Sequence, residues 1–181
     1  CEKGDQWERA LGILMEMQKH GMELAVISYN AAISACQKGR RPDSALELLV
    51  EMAPRRLSPD VITYNAAISA CESWEVALKL FLEMAAVHVA ADAVTCNALM
   101  TACERGRQWE RALSLLREMQ DVGLRLDVVA FSAAISACDK GQRWEWALHL
   151  LEEMRHLEVL PNVFTYSAAI SAQGRSHQWA G

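Results

Sequence analysis

Apolar residues recur along this chain in two alternating patterns, and each predicts a helix. In the first, Trp7, Ala10, Leu11, Leu14 and Met17 fall at offsets of 0, 3, 4, 7 and 10. That spacing lines one face of an α-helix and leaves Glu8, Arg9, Glu16 and Lys19 elsewhere. The stripe returns as Trp74, Ala77, Leu78, Phe81 and Met84, as Trp109, Ala112, Leu113, Leu116 and Met119, and as Trp144, Ala147, Leu148, Leu151 and Met154. Once, Pro42 stands in place of the Trp while Ala45, Leu46, Leu49 and Met52 keep the stripe. Proline is compatible with a first helical turn, whose N–H groups need no intrahelical acceptor. In the second pattern Tyr64, Ala67, Ile68 and Cys71 share a face at offsets of 0, 3, 4 and 7. The small residues around them (Ala66, Ser69, Ala70) let neighbouring helices approach closely.

The alternation is a repeat. The stretch 61–71, VITYNAAISAC, has variants at 26–36, 93–103, 128–138 and 163–173, with start-to-start spacings of 35, 32, 35 and 35 residues. A fixed period of this size signals a stacked array, because neither helix of a unit can bury its apolar face alone. The expected fold is all-α: a right-handed helical-hairpin solenoid, an α-α superhelix of ~35-residue repeats. It divides into a half repeat (1–25), repeats at 26–60, 61–92, 93–127 and 128–162, and a second half repeat (163–181). Gly4, Gly39, Gly106 and Gly141 each follow a basic residue where the first helix must stop, and are expected there as left-handed caps. The 61–92 repeat lacks three residues between Cys71 and Trp74. Either its first helix gives up about a turn or the connection is strained, with a local change in superhelical twist.

Composition adds that the chain folds. At 181 residues, 52% hydrophobic and 23% charged, it can bury a substantial core as one domain. No apolar run approaches the roughly 18 residues that span a bilayer, so no membrane partner is expected. Cys1 aligns with Cys36, Cys71, Cys103 and Cys138, and Gly181 also falls inside a repeat, so the chain is expected to be a fragment that gives no targeting segment. Five of the six cysteines follow the repeat and therefore lie on successive hairpins, not around one point as a zinc site requires. They read as small buried side chains in a reducing compartment, and no metal or other cofactor is expected. The five histidines follow no period. The chain has no H-x-E with P-C-x-x-C, no Gly-rich phosphate loop and no nucleophile constellation, so nothing in it points to an enzyme.

The opening V-x-T-Y-N, the middle K-G-x-W-E-x-A-L, the closing E-M and the ending Leu57-Ser58-Pro59-Asp60 together resemble the pentatricopeptide repeat family. The resemblance is to its P-type units and covers the whole chain. The tetratricopeptide signature W-x2-L-G-x2-Y is absent. The resemblance implies a groove, lined by first helices, that binds single-stranded RNA at about one nucleotide per unit. It implies base-reading pairs Asn30 with Asp60, Asn65 with Asp92, Asn97 with Asp127, and Ser132 with Asn162. Ser167 opens a further pair whose partner is absent. By the family's code the pairs spell U-U-U-A, read 5′ to 3′ from the N-terminus. The second residue of each unit (Ile27, Ile62, Val94, Val129, Phe164) is implied to wedge between bases, and Lys3, Lys38, Arg105, Lys140 and Arg175 to contact phosphates. The family's setting implies chloroplast or mitochondrial RNA processing, stabilisation, translation or editing, by a monomer with or without other proteins of an RNA-processing complex.

Each assignment has a plainer competitor. Asp60, Asp92, Asp127 and Asn162 precede helices and are good N-caps. The apolar second residues serve equally as packing at a helix start, and the basic row equally balances helix C-terminal dipoles. The formal net charge of -5 weighs against polyanion binding. It favours instead a helical-repeat scaffold that binds a protein without RNA specificity. Only the periodic Asn at 30, 65 and 97 has no structural explanation, because Asn is a poor residue inside a helix.

Overall fold

A computed structural model describes residues 6–121 and 123–177, with side chains through residue 174. Cys1, Lys3, Gly4 and the side chain of Arg175 lie outside the described residues. These contain ten helices and no strand: α1 Gln6–Lys19, α2 Val26–Lys38, α3 Pro42–Met52, α4 Val61–Ala70, α5 Trp74–Ala86, α6 Ala93–Arg105, α7 Trp109–Asp121, α8 Val128–Lys140, α9 Trp144–His156 and α10 Val163–His177. The second helices α3, α5, α7 and α9 begin at the Pro or Trp that opens their stripe, and the first helices α2, α4, α6, α8 and α10 at the residues where the repeated stretch begins. By contacts the chain forms two compact units, Cys1–Ala91 and Asp92–Gly181.

In the first unit α2 packs against α1, α3 and α4, and α4 against α3 and α5. Tyr29, Ile33, Met52, Ile68 and Met84 are almost wholly buried between these helices. The second unit repeats the plan. There α8 packs against α6, α7, α9 and α10, and encloses Phe131 and Ile135 with Leu99, Met100 and Met154. First helices stack on first helices because small residues (Ala66 and Ala67; Ala133, Ala134 and Ala137) occupy their contact faces. Pro42 takes the first position of α3, as its missing N–H allows.

The three-residue deletion is taken from the helix. α4 has 10 residues where α2, α6 and α8 have 13, and the chain leaves it at Cys71 in an extended conformation (φ -63°, ψ 133°).

The glycines correct the expectation of left-handed caps. Gly39, Gly106 and Gly141 have φ of -77°, -78° and -83°. The left-handed residue is the next one: Arg40 at 54°, Arg107 at 56° and Gln142 at 58°. Glycine is needed for room. A Cβ on Gly39 would lie 2.5 Å from Cδ1 of Trp7, and one on Gly141 would lie 2.6 Å from Cδ1 of Trp109. Each indole also carries a guanidinium over its ring, Arg41 at 4.5 Å from the Trp7 centroid and Arg143 at 4.9 Å from the Trp109 centroid. The Trp that opens one second helix therefore packs on the glycine one hairpin further along, and a left-handed Arg or Gln is tolerated to keep that glycine in place.

Candidate nucleic-acid interface

Four of the first helices, α4, α6, α8 and α10, start on side-chain caps, and the residues predicted to close each base-reading pair are built into them; α2 starts after Ala25 without one. Asp60 Oδ1 accepts from the backbone N–H of Thr63 at 2.8 Å, and Thr63 Oγ1 accepts from the backbone N–H of Asp60 at 3.1 Å. This is a reciprocal capping box, worth about 1 kcal/mol to the helix. The same box joins Asp92 to Thr95. Asn162 caps α10 by accepting from the Thr165 N–H at 2.8 Å. Asp127 caps α8 by accepting from Val129 N–H at 3.0 Å and Ala130 N–H at 2.9 Å.

The caps also hold the Asn and Ser side chains that the sequence predicts as base readers. Asn30, buried on α2, donates from Nδ2 to Asp60 Oδ1 at 3.1 Å and Oδ2 at 3.2 Å. Its Oδ1 accepts from the Thr63 hydroxyl at 2.5 Å, and the one proton of that hydroxyl is shared with Asp60 Oδ1 at 2.8 Å. Asn97 donates to Asp127 Oδ2 at 3.2 Å, but its Oδ1 is buried with no hydrogen-bond partner. The cause is Ala130, which stands where Thr63 supplies a hydroxyl, and an orphaned acceptor of this kind costs about 1–3 kcal/mol. Ser132 reaches Asn162 through an intermediary: Ser132 Oγ lies 3.0 Å from Thr165 Oγ1, which donates to Asn162 Oδ1 at 2.8 Å. Asn65 is buried in α4 of the first unit, and Asp92 caps α6 of the second. Ser167 is exposed on α10.

The donors around Asp60 decide its charge. Burial pushes its carboxyl up, but hydrogen bonds from the Thr63 backbone and hydroxyl, Asn30 and the Ile62 N–H outweigh that and hold its pKa below the ordinary value. The carboxylate is thus ionised at neutral pH.

Ile27, Ile62, Val94, Val129 and Phe164 are 79, 57, 58, 50 and 55% exposed. Residues serving as helix-start packing would be buried, and these are not. Lys38 and Arg105 are exposed at the ends of α2 and α6. Lys140 is half-buried, and its ammonium meets Glu104 Oε1 at 2.9 Å, an oxygen that also accepts from Ser136 Oγ at 2.7 Å.

Cys36, Cys71, Cys96, Cys103 and Cys138 are buried and reduced. Burial pushes the thiols of Cys71 and Cys103 up to about 11 and that of Cys138 to about 12, so these stay protonated and unreactive at neutral pH.

Known families recognise the same units. A model described as the pentatricopeptide repeat domain matches residues 12–73 and 114–176, and a second, the PPR repeat, matches residues 94–124. The chain belongs to the pentatricopeptide repeat family. Among solved structures, the pentatricopeptide repeat protein PPR10 in complex with an 18-nt psaJ RNA element is similar at 25% identity. That match has a TM-score of 0.81 and covers 95% of this chain and 26% of PPR10. PPR10 from maize is also similar, at 28% identity and a TM-score of 0.74. The PPR domain of Arabidopsis thaliana protein-only RNase P 1, in complex with tRNA, shares the fold at 16% identity and a TM-score of 0.72 over 81% of this chain and 79% of that one. The chain thus spans about a quarter of the length of PPR10. No curated protein sequence matches it.

Within this pentatricopeptide repeat array, sequence reasoning missed the third residue of the first helix. Thr63, Thr95 and Thr165 are fully buried, and each is the N3 partner of a cap. The signal was present as Asp-x-x-Thr or Asn-x-x-Thr, a capping-box spacing, inside the quoted V-x-T-Y-N.

Proposed function

We propose that the chain binds single-stranded RNA sequence-specifically, one nucleotide per repeat, with U-U-U-A as the core read 5′ to 3′ from the N-terminus. The observation that carries this reading is the Asn–carboxylate pair, Asn30 with Asp60 and Asn97 with Asp127, set beside a row of exposed apolar side chains. Caps alone need no Asn thirty residues upstream, and a fold gains nothing from an exposed Ile or Phe at each helix start. Together they suit bases stacked between apolar side chains and read along their Watson–Crick edges. The RNA complex of PPR10 supports the same use of the repeats. The stretch acts as a monomeric binder without catalytic residues of its own, in chloroplast or mitochondrial RNA processing, stability, translation or editing, alongside other proteins of an RNA-processing complex.

Fluorescence anisotropy with RNAs carrying UUUA or UUUG, using wild type and Asn162→Asp at fixed salt, tests the reading. Wild type is expected to favour UUUA and the variant to move towards UUUG. Binding that is absent, or indifferent to both changes with the fold intact, overturns it. In that event the protein-binding scaffold leads, and one observation favours it: a cavity of about 280 Å³ between α7 and α9, lined by Leu113, Leu116, Gln120, Trp146, His149 and Glu153 among others.

A further inference from the structure

We propose that the third residue of each first helix sets how strictly the preceding repeat reads its base, and that Ala130 makes the 93–127 repeat tolerant of cytidine in place of uridine. The inference rests on the RNA-reading function proposed above and names a residue outside the reading pair. Thr63 is a positioning residue for Asn30. Its hydroxyl fixes the amide oxygen while the Asp60 carboxylate fixes the amide nitrogen, so the amide is tethered at both ends. Turning it over would set Asn30 Oδ1 against a carboxylate. The functionality left to a ligand is therefore the second N–H of Nδ2, a donor. Uracil offers its 4-carbonyl to such a donor, whereas cytosine presents a 4-amino group there and is refused. Thr165 plays the corresponding part for Ser132, 3.0 Å from its hydroxyl.

Ala130 is as deeply buried as Thr63 and sits on the same kind of cap. Without a hydroxyl it leaves Asn97 Oδ1 unpaired and the amide held by one bond of 3.2 Å. Turning it over about Cβ–Cγ sets Oδ1 against the Asp127 carboxylate, as at Asn30, but breaks only the one bond of 3.2 Å and no hydroxyl bond. The orientation that offers oxygen to a base therefore costs less at Asn97 than at Asn30. Cytosine's amino group then supplies the donor that the protein lacks, and uridine gains no advantage from the nitrogen. Of the three Asn–Asp repeats, the first (26–60) and the third (93–127) carry identical reading residues, yet the first is a uridine reader and the third a pyrimidine reader.

The test measures affinities of the full chain for UUUA, CUUA and UUCA, with melting temperatures recorded for every variant. Wild type is expected to penalise cytidine at the first position more than at the third. Ala130→Thr is expected to raise the cytidine penalty at the third position about threefold to tenfold, the worth of one hydrogen bond, and to leave the first unchanged. Thr63→Ala is expected to relax the first position alone, and Thr63→Ser to restore it. A purely structural role moves melting temperatures but not these ratios. If Ala130→Thr raises the melting temperature without changing the ratio at the third position, the inference is overturned, while the Asn162→Asp switch continues to support RNA reading. If no variant or base change matters anywhere, both readings fall together.

Discussion

The repeats 26–60 and 93–127 carry the same asparagine and the same closing carboxylate, thirty residues apart in each, yet only one of them closes its network. Asn30 is satisfied at both ends of its amide; Asn97 is satisfied at one. The difference lies in neither repeat. It lies in the next one, where Thr63 or Ala130 is the third residue of a helix that an Asp caps at the same position. The network around each asparagine is therefore assembled from three residues spread over two repeats, and matching two of them does not match the network.

That comparison presumes a common scaffold, and the largest expected effect tests the presumption. Gly39→Ala and Gly141→Ala each force a methyl into an indole, at 2.5 Å and 2.6 Å before relaxation. Overpacking of this kind costs about 1–3 kcal/mol. Urea denaturation should give the two variants similar losses. A large loss for one and none for the other would mean that the two units are held differently, and the comparison of their networks would lose its control.

The next effect converts one site into the other. Thr63→Ala removes a cap partner and orphans Asn30 Oδ1, and is expected to cost about 1–3 kcal/mol. Ala130→Thr runs the other way and is expected to gain about 1 kcal/mol. The acid limb of stability reports on the same network. The folded-state pKa of Asp60 lies below its unfolded value, so its ionised form contributes stability above about pH 4 that is lost as pH falls through the folded value. Losing the Thr63 hydroxyl removes one of the donors that depress this pKa, so Thr63→Ala should flatten the acid limb. An acid limb as steep as that of wild type would place the depression elsewhere.

How much of this was legible follows the range of each interaction. The helices are set by residues within one or two turns of each other, and the stripes at Trp7 and Tyr64 already specify them. The glycines were misassigned because the partner of Gly39 is Trp7, 32 residues away. A pattern of basic residue then glycine reads locally as a turn, while the close approach that requires the glycine comes from the preceding hairpin. Asp60 was recognised both as a cap and as a reader. That Thr63 joins the two roles was missed, although its spacing from Asp60 marks a capping box, because its second partner, Asn30, lies one whole repeat upstream. The shortened first helix at Val61–Ala70 was visible as a deletion, but only the structure shows that the helix, and not the connection, absorbs it.

The smallest effect sharpens the comparison along the basic row. Lys38 ends α2 exposed, and no ion pair to it occurs among the described residues, whereas Lys140 ends α8 paired with Glu104, one repeat upstream. The pair is partly exposed and so contributes only about 0–1 kcal/mol to stability. Its larger consequence is for a polyanion, which must compete with Glu104 for the ammonium. Glu104→Gln keeps the side-chain length and a carbonyl for Ser136 but frees the charge of Lys140. In the RNA titration this substitution should tighten binding slightly and steepen the dependence of log affinity on log salt by up to about 0.7, the counterion term for one added contact to a single strand. Lys38→Gln should do the reverse. If Glu104→Gln leaves the salt slope unchanged while Lys38→Gln lowers it, Lys140 closes its own helix and does not touch the phosphate chain.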